Sequence, residues 1–331
     1  MWATKFLKLA MKSGLEKSFK TLRRTATPLN SLIYKLYLNN FDIFERMFMK
    51  VFAIGDLHLS GNPPTKPMDI FGPHWDNHWS RIKEDWIDRV TDDDIVFLVG
   101  DMSWALRLDE AACDLQEIAS MPGKKYMIRG NHDYWWASAN KMRNLMGDAI
   151  TFLQGHGTAQ LIQTAEGPRI IAFGGTRAYL CPGDSHFTPE TDQSIYDREL
   201  MRTEAALQEM DKAVETLIES FKSEANVDTT GYANKDLQTI DTKDSNENNP
   251  PTIDIDTIPI TKILLLHYPP FNESNTPSGF TDLMETYNVD TCIFGHLHDQ
   301  ISFKRIPKEF GSTKLELVSA DYLDFRLKEI M

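Results

Sequence analysis

Asp56 and His58 stand two residues apart just after the apolar run Val51-Phe52-Ala53-Ile54 and Gly55. The run reads as a buried strand. In chain that stays extended, residues two apart point to one side, so this carboxylate and imidazole converge as half of a metal site. Four more apolar runs end the same way. Asp94 to Val99 leads into Gly100-Asp101, and Lys125 to Arg129 into Gly130-Asn131-His132-Asp133. Ile263 to Leu266 leads into His267, and Thr291 to Phe294 into Gly295-His296-Leu297-His298. Open α/β sheets form their sites at the carboxyl ends of strands. One Asp-x-His pair carries little information, but five strand ends bearing Asp, Asn or His are a constellation.

The donor types narrow the chemistry. Asp56, Asp101 and Asn131 offer oxygen; His58, His267, His296 and His298 offer imidazole nitrogen. The mixture suits Mn²⁺, Fe, Zn²⁺ or Co²⁺ better than Mg²⁺ or Ca²⁺, which favour all-oxygen shells. Seven ligands are too many for one ion and suit two if a carboxylate bridges them. Such a pair, about 3.5–4 Å apart, clamps the attacking and leaving oxygens of an in-line displacement. No serine or cysteine nucleophile is needed.

The five blocks, in this order, resemble the calcineurin-like metallophosphoesterase superfamily from about Lys50 to the C-terminus. The resemblance implies an α/β fold with two packed mixed β-sheets flanked by helices. It implies metal-dependent hydrolysis of a phosphoric ester by a metal-bridging hydroxide. In that pattern Asp101 is the bridge, Asp56, His58 and His298 complete the first metal, and Asn131, His267 and His296 the second. His132 protonates the leaving oxygen or holds the phosphate, and Asp133 orients its imidazole. The Trp75–Trp79 and Thr176–Pro189 segments have a looser likeness to an uncharacterised bacterial branch of predicted phosphohydrolases, which brings no substrate with it. Monoester and diester both remain open, as does the choice among Mn²⁺, Fe²⁺/Fe³⁺ and Zn²⁺. A non-catalytic scaffold should show a broken ligand set, whereas here the set is intact. A nuclease should carry a basic groove.

Charge speaks against that groove. Residues 1–50 hold ten Lys and Arg against three Asp and Glu, a net of +7, so residues 51–331 carry −20 of a chain whose total is −13. An acidic body repels a polyphosphate backbone but tolerates a small phosphorylated substrate, because bound metals supply local positive charge. With 41% hydrophobic and 25% charged residues, the composition is that of an ordinary globular protein. No apolar stretch is long enough to cross a bilayer. Cys113, Cys181 and Cys292 are scattered and odd in number, so a reduced cytoplasmic protein is expected.

The elements that must position the site follow from periodicity. Residues 49–331 form the expected catalytic domain. Residues 1–48 lie outside it, with Lys and Arg alternating with Leu, Phe and Met. They read as an unfolded or non-native extension upstream of Met47 or Met49, as a basic amphipathic helix suited to an acidic surface, or as a transit-type peptide. Helices are expected over Trp75–Val90, with Trp79, Ile82, Trp86, Ile87 and Val90 on one face, and over Asp109–Ser120, Ala137–Met146 and Asp192–Phe221. Ala159–Thr164 and Arg169–Gly174 read as a hairpin. Ile301–Ile306, Leu315–Val318 and Tyr322–Ile330 read as strands. Residues 222–257, polar and acidic, read as a disordered insertion. In the irregular segment Thr176–Pro189, Arg177 is the cation that could meet a phosphate, with a structural salt bridge as the alternative. Arg129 suits a supporting role. Tyr134, Trp135 and Trp136 suit packing better than base stacking.

Overall fold

The computed structural model describes residues 48–230 and 255–331. The chain divides into two units, 1–49 and 50–331, and the second holds every element below. The N-terminal extension, apart from Phe48, lies outside the described residues, as do residues 231–254 of the expected insertion.

Two sheets form the centre. The first has the order β11-β1-β2-β3-β4, built from β1 (Val51–Ile54), β2 (Ile95–Val99), β3 (Lys124–Ile128), β4 (Ile150–Phe152) and β11 (Lys328–Glu329). Strands β1 to β4 run parallel, and β11 closes the β1 edge antiparallel. The second sheet has the order β5-β6-β7-β8-β10-β9. Its strands are β5 (His156–Thr164), β6 (Gly167–Thr176), β7 (Ile260–Leu266), β8 (Thr291–Phe294), β9 (Glu309–Phe310) and β10 (Thr313–Leu317). Its centre is parallel, and the antiparallel β5–β6 hairpin forms one edge. This is the α/β architecture of two mixed sheets that the sequence pattern implied.

Phe97 of β2 and Phe173 of β6 meet across the sheets with ring centroids 4.9 Å apart. Every residue of β1 and β2 is buried, without alternation, because both faces are covered. Helices cover the outer faces. Helices α1 (His78–Arg89), α2 (Leu108–Ala119) and α3 (Ala139–Met146) pack on the first sheet. Helices α4 (Pro189–Thr230) and α5 (Gly279–Thr286) pack on the second. Each large apolar side chain sealed in these layers contributes about 1.5–3 kcal/mol relative to exposure.

Several expectations are corrected. Gln300–Arg305 is a helix, α6, rather than a strand, because the Asp299 carboxylate accepts the backbone N–H groups of Ile301 and Ser302 and caps a turn. Of Tyr322–Ile330 only Lys328–Glu329 pairs as strand; Asp324 and Phe325 take left-handed φ values of 51° and 59°. The expected Trp75–Val90 helix begins at His78, since Pro73–Trp75 is a separate 3₁₀ turn and Asn77 is left-handed. Ile82, Trp86 and Val90 are buried as expected, but Ile87 is exposed. Helix α4 runs on to Thr230, into the segment read as an insertion.

Candidate metal centre

The register of β1 on β2, Val51 opposite Ile95, makes the two strands end side by side. Their following loops run on together. Asp56 N–H donates to the Gly100 carbonyl at 2.9 Å, and His58 N–H to the Asp101 carbonyl at 3.0 Å. The expectation that Asp56 and His58 lie in extended chain fails: their φ values are 58° and 48°. Asp101 and His296 are also left-handed, at 57° and 73°. A non-glycine residue in this region costs on the order of 1–3 kcal/mol, and such strain concentrates at functional sites. The turns aim the side chains back into the cleft at the strand ends, so the convergence is real although its backbone geometry differs.

Two groups of donors result. In the first, His298 Nε2 lies 3.3 Å from His58 Nε2 and 3.4 Å from Asp56 Oδ1. In the second, Asn131 Oδ1 lies 2.7 Å from His267 Nε2 and 2.8 Å from His296 Nδ1, and Asp101 Oδ2 is 3.5 Å from His267 Nε2. Donor atoms of Asp56, His58 and His298 all lie within 4.8 Å of one another, as do those of Asp56, Asp101 and His267. All seven residues singled out by type and spacing are therefore brought together.

The donor chemistry fits cations. Asp56 and Asp101 are 0% and 2% exposed, yet neither forms an ion pair with Lys or Arg among the described residues. Buried carboxylates demand compensation, which here comes from the imidazoles and from the backbone N–H groups of His132 and His296. Burial holds His58 down to about 4, against the pull of Asp101 and Asp56. Burial likewise holds His296 at about 3, so both rings are neutral near pH 7, the form in which an imidazole can bind a cation. For His267 burial acts downward but the Asp101 carboxylate overcomes it, raising the group to about 9. For His298 burial is overcome by Asp321 and Asp56, raising it to about 10. Asp56 and Asp101 are held below the ordinary carboxylate range, burial being outweighed by His298 for the former and His267 for the latter. A divalent cation held by these residues would take over the counter-charge from those imidazolium protons.

Tautomers are set from outside the cluster. His267 Nδ1–H donates to the Val99 carbonyl at 2.9 Å, leaving the Nε2 lone pair for the centre. His298 Nδ1–H donates to Asp321 Oδ1 at 2.9 Å, with the same result. Asp321 was not singled out from the sequence. The signal was present, because Leu315-Glu316-Leu317-Val318-Ser319-Ala320-Asp321 is another apolar run ending in a carboxylate.

The two residues beside Asn131 have different fates. The His132 ring lies 4.4 Å from the Trp104 ring and 5.9 Å from the His58 ring, at the edge of the first donor group. Burial lowers its basicity. Among the described residues no hydrogen bond joins the Asp133 carboxylate to the His132 ring that it was expected to orient. Asp133 Oδ1 accepts from Met102 N–H, Ser103 N–H and Trp135 Nε1–H, and Oδ2 from Asp101 N–H and Gly130 N–H. The carboxylate is fully used in tying the loop after β3 to the loop after β2. Burial and the neighbouring Asp101 push it up to about 6.

Trp104 was also missed. Its ring stacks on His58 at 4.7 Å and 18°, and also meets His132, so one indole packs against both imidazoles. Arg129 Nε–H donates to the Asp133 carbonyl, a supporting role as expected. Trp135 is buried and Trp136 packs on Phe152, whereas Tyr134 is exposed. Arg177 stands 5.4 Å over the Tyr179 ring, and its carbonyl accepts from Tyr268 N–H. Tyr268 in turn lies 4.1 Å from the His296 ring and 5.6 Å from the Tyr179 ring, so Arg177 is linked to the donors through two tyrosine rings. His78 bonds the Leu57 carbonyl and is structural. Cys181 and Cys292 are buried thiols, and Cys113 is exposed. No helix among the described residues is long and apolar enough to cross a membrane.

A search of curated proteins finds no match. Among solved structures, a protein of unknown function from Aquifex aeolicus is 12% identical, with coverage of 85% of this chain and 95% of that one and a TM-score of 0.37. A Thermus thermophilus protein is 11% identical, with coverage of 85% and 98% and a TM-score of 0.40. The calcineurin-like phosphoesterase YfkN of Bacillus subtilis is 12% identical, with coverage of 85% and 88% and a TM-score of 0.40. The family profile of the calcineurin-like phosphoesterases matches residues 49–300, most of the 331-residue chain, and the chain belongs to that family.

Proposed function

We propose that this chain hydrolyses a small phosphoric ester with two divalent cations. One is held by Asp56, His58 and His298, the other by Asn131, His267 and His296, with Asp101 shared between them. Family membership supports metal-dependent phosphoester hydrolysis in general. The observation that carries the two-metal reading is the position of Asp101. Its Oδ2 lies 3.5 Å from His267 Nε2 in the second donor group, and its backbone carbonyl accepts from His58 N–H at 3.0 Å in the first, so it stands against both. Asp56 also reaches both groups, and its Oδ1 and Oδ2 both accept from His296 N–H.

Two cations bound there supply Lewis acidity: they neutralise phosphoryl oxygens and make water a competent nucleophile near neutral pH. The chain's own groups do the rest. Val99 and Asp321 lock the tautomers of His267 and His298. Asp133 fixes the backbone that presents Asp101. A ring nitrogen of His132 gives a proton to the departing oxygen, and Trp104 limits where that ring can stand. The acidic body supports a small substrate over nucleic acid.

The test is metal stoichiometry together with phosphate-ester turnover. The metal-free protein is titrated with Mn²⁺ by calorimetry and is expected to bind two equivalents, with turnover lost on chelation. Asp101→Asn is expected to retain the fold, lose at least one equivalent and lose hydrolysis. Full activity in that variant sinks the two-metal assignment.

A further inference from the structure

Among the described residues, two cavities border the donor cluster, and no residue lines both. One, of about 540 Å³, reaches His58 and is walled by Lys66, Trp75, Trp79 and Lys83. The other, of about 440 Å³, reaches His296 and is walled by Tyr179, Tyr268, Phe271 and Arg305. His58 is the only candidate ligand in the first lining, and His296 the only one in the second. These residues belong to different donor groups, so each group has its own cavity. Both volumes lie in the range of about 300–1,000 Å³ that holds an organic ligand.

From this two-sided arrangement we infer that the substrate is a phosphodiester with two separate organic substituents, one seated in each cavity. The inference rests on the hydrolase reading of the same site. A phosphomonoester has one substituent and leaves one cavity to water. Charge refines the class. In the His58-side wall Asp69, Asp76, Asp114 and Glu117 outnumber Lys66 and Lys83. In the His296-side wall Asp184, Glu273 and Asp299 outnumber Arg305. Walls of this sign repel further phosphates, so the substituents are neutral or cationic, and the aromatic rings supply apolar faces for them. An oligonucleotide, with a phosphate on every sugar, does not fit this pattern.

The reaction direction also follows. His132 lies beside His58 and Trp104, and Lys66 of the His58-side wall stands 5.4 Å over the Trp104 ring. The leaving substituent therefore occupies the His58 side. The oxygen of water bonds to phosphorus and gives up a proton to solvent, the P–O bond to that substituent breaks, and its oxygen takes the proton from His132, which solvent then restores. The products are an alcohol and a phosphomonoester that retains the His296-side group.

The test compares bis-p-nitrophenyl phosphate with p-nitrophenyl phosphate on the Mn²⁺-loaded full chain, and repeats the comparison in Ser80→Trp and Ser302→Trp. Ser80 lines the His58-side cavity and Ser302 the His296-side cavity. The diester is expected to exceed the monoester in kcat/KM by about tenfold or more, and each tryptophan is expected to lower the diester-to-monoester ratio by about fivefold or more. Metal-dependent turnover of the monoester alone, or a higher kcat/KM for it, overturns the diester inference and leaves the hydrolase reading standing. No metal-dependent turnover of either ester overturns both. A diester preference that neither tryptophan reduces overturns the seating of substituents in these cavities.

Discussion

The Asp133 carboxylate accepts the backbone N–H of Asp101 at 2.8 Å, so the loop after β3 holds the loop after β2 at a carboxylate of the second donor group. The bond runs through the main chain, and Asp133 acts on the centre by fixing where the Asp101 side chain starts.

Asp133→Ala removes a fully buried acceptor and leaves several N–H groups without a partner. Each orphaned donor costs about 1–3 kcal/mol. Urea unfolding is therefore expected to show a loss of about 3 kcal/mol or more, with Mn²⁺ affinity falling alongside. Unchanged stability with a selective loss on esters of poor leaving groups would instead mean that Asp133 serves the His132 ring.

Gly130 tests the same contact from the other side. A Cβ there would collide with Asp101 Oδ1 and with the Asp101 amide nitrogen. The amide nitrogen is backbone and cannot swing aside as a side-chain end can, so Gly130→Ala must displace the loop together with the carboxylate. The expected outcome is a loss of Mn²⁺ binding by about tenfold or more, read by calorimetry, together with a lowered Tm. Wild-type affinity in this variant would show that the loop can shift without moving Asp101.

Asp321 supports His298 by accepting its Nδ1–H, a carboxylate–histidine pair at the edge of the first donor group. Asp321→Ala is expected to weaken Mn²⁺ binding by about 10–100-fold while leaving kcat near wild type at saturating metal. An Mn²⁺ titration of activity separates these effects. A fall in kcat that excess metal does not restore would give Asp321 a role beyond positioning His298.

The ligand-bearing blocks were legible because each joins a strongly patterned strand to a residue type that seldom follows one by chance. Strands β1, β2, β3, β7 and β8 and their polar ends were all readable. The backbone at those ends was not. Asp56 and His58 seemed to share an extended chain, yet left-handed turns converge them, and those turns are set by bonds to Gly100 and Asp101 some forty residues away. The backbone contacts of Asp133 were hidden for the same reason, since proximity in sequence to His132 says nothing of the N–H groups that a distant loop aims at its carboxylate. Gln300–Arg305 reads as a strand by composition, and one capping carboxylate, Asp299, makes it a helix.

His132 and Trp104 give the most direct test of proton transfer. The indole lies 4.4 Å from the His132 ring and stacks at 4.7 Å on His58, so it is a shared wall for a candidate acid and a candidate ligand. His132→Ala is expected to lower kcat by about 10²–10⁴-fold on alkyl esters and by much less on nitrophenyl esters, whose leaving group needs little protonation. Trp104→Leu keeps the ring that carries the proton but removes its wall. It is expected to show the same ordering of substrates at about a tenfold smaller scale, with Mn²⁺ affinity also reduced through His58. Equal losses on both ester classes in His132→Ala would make His132 a phosphate-binding group. Loss of metal affinity in Trp104→Leu without any leaving-group dependence would confine the indole to holding His58.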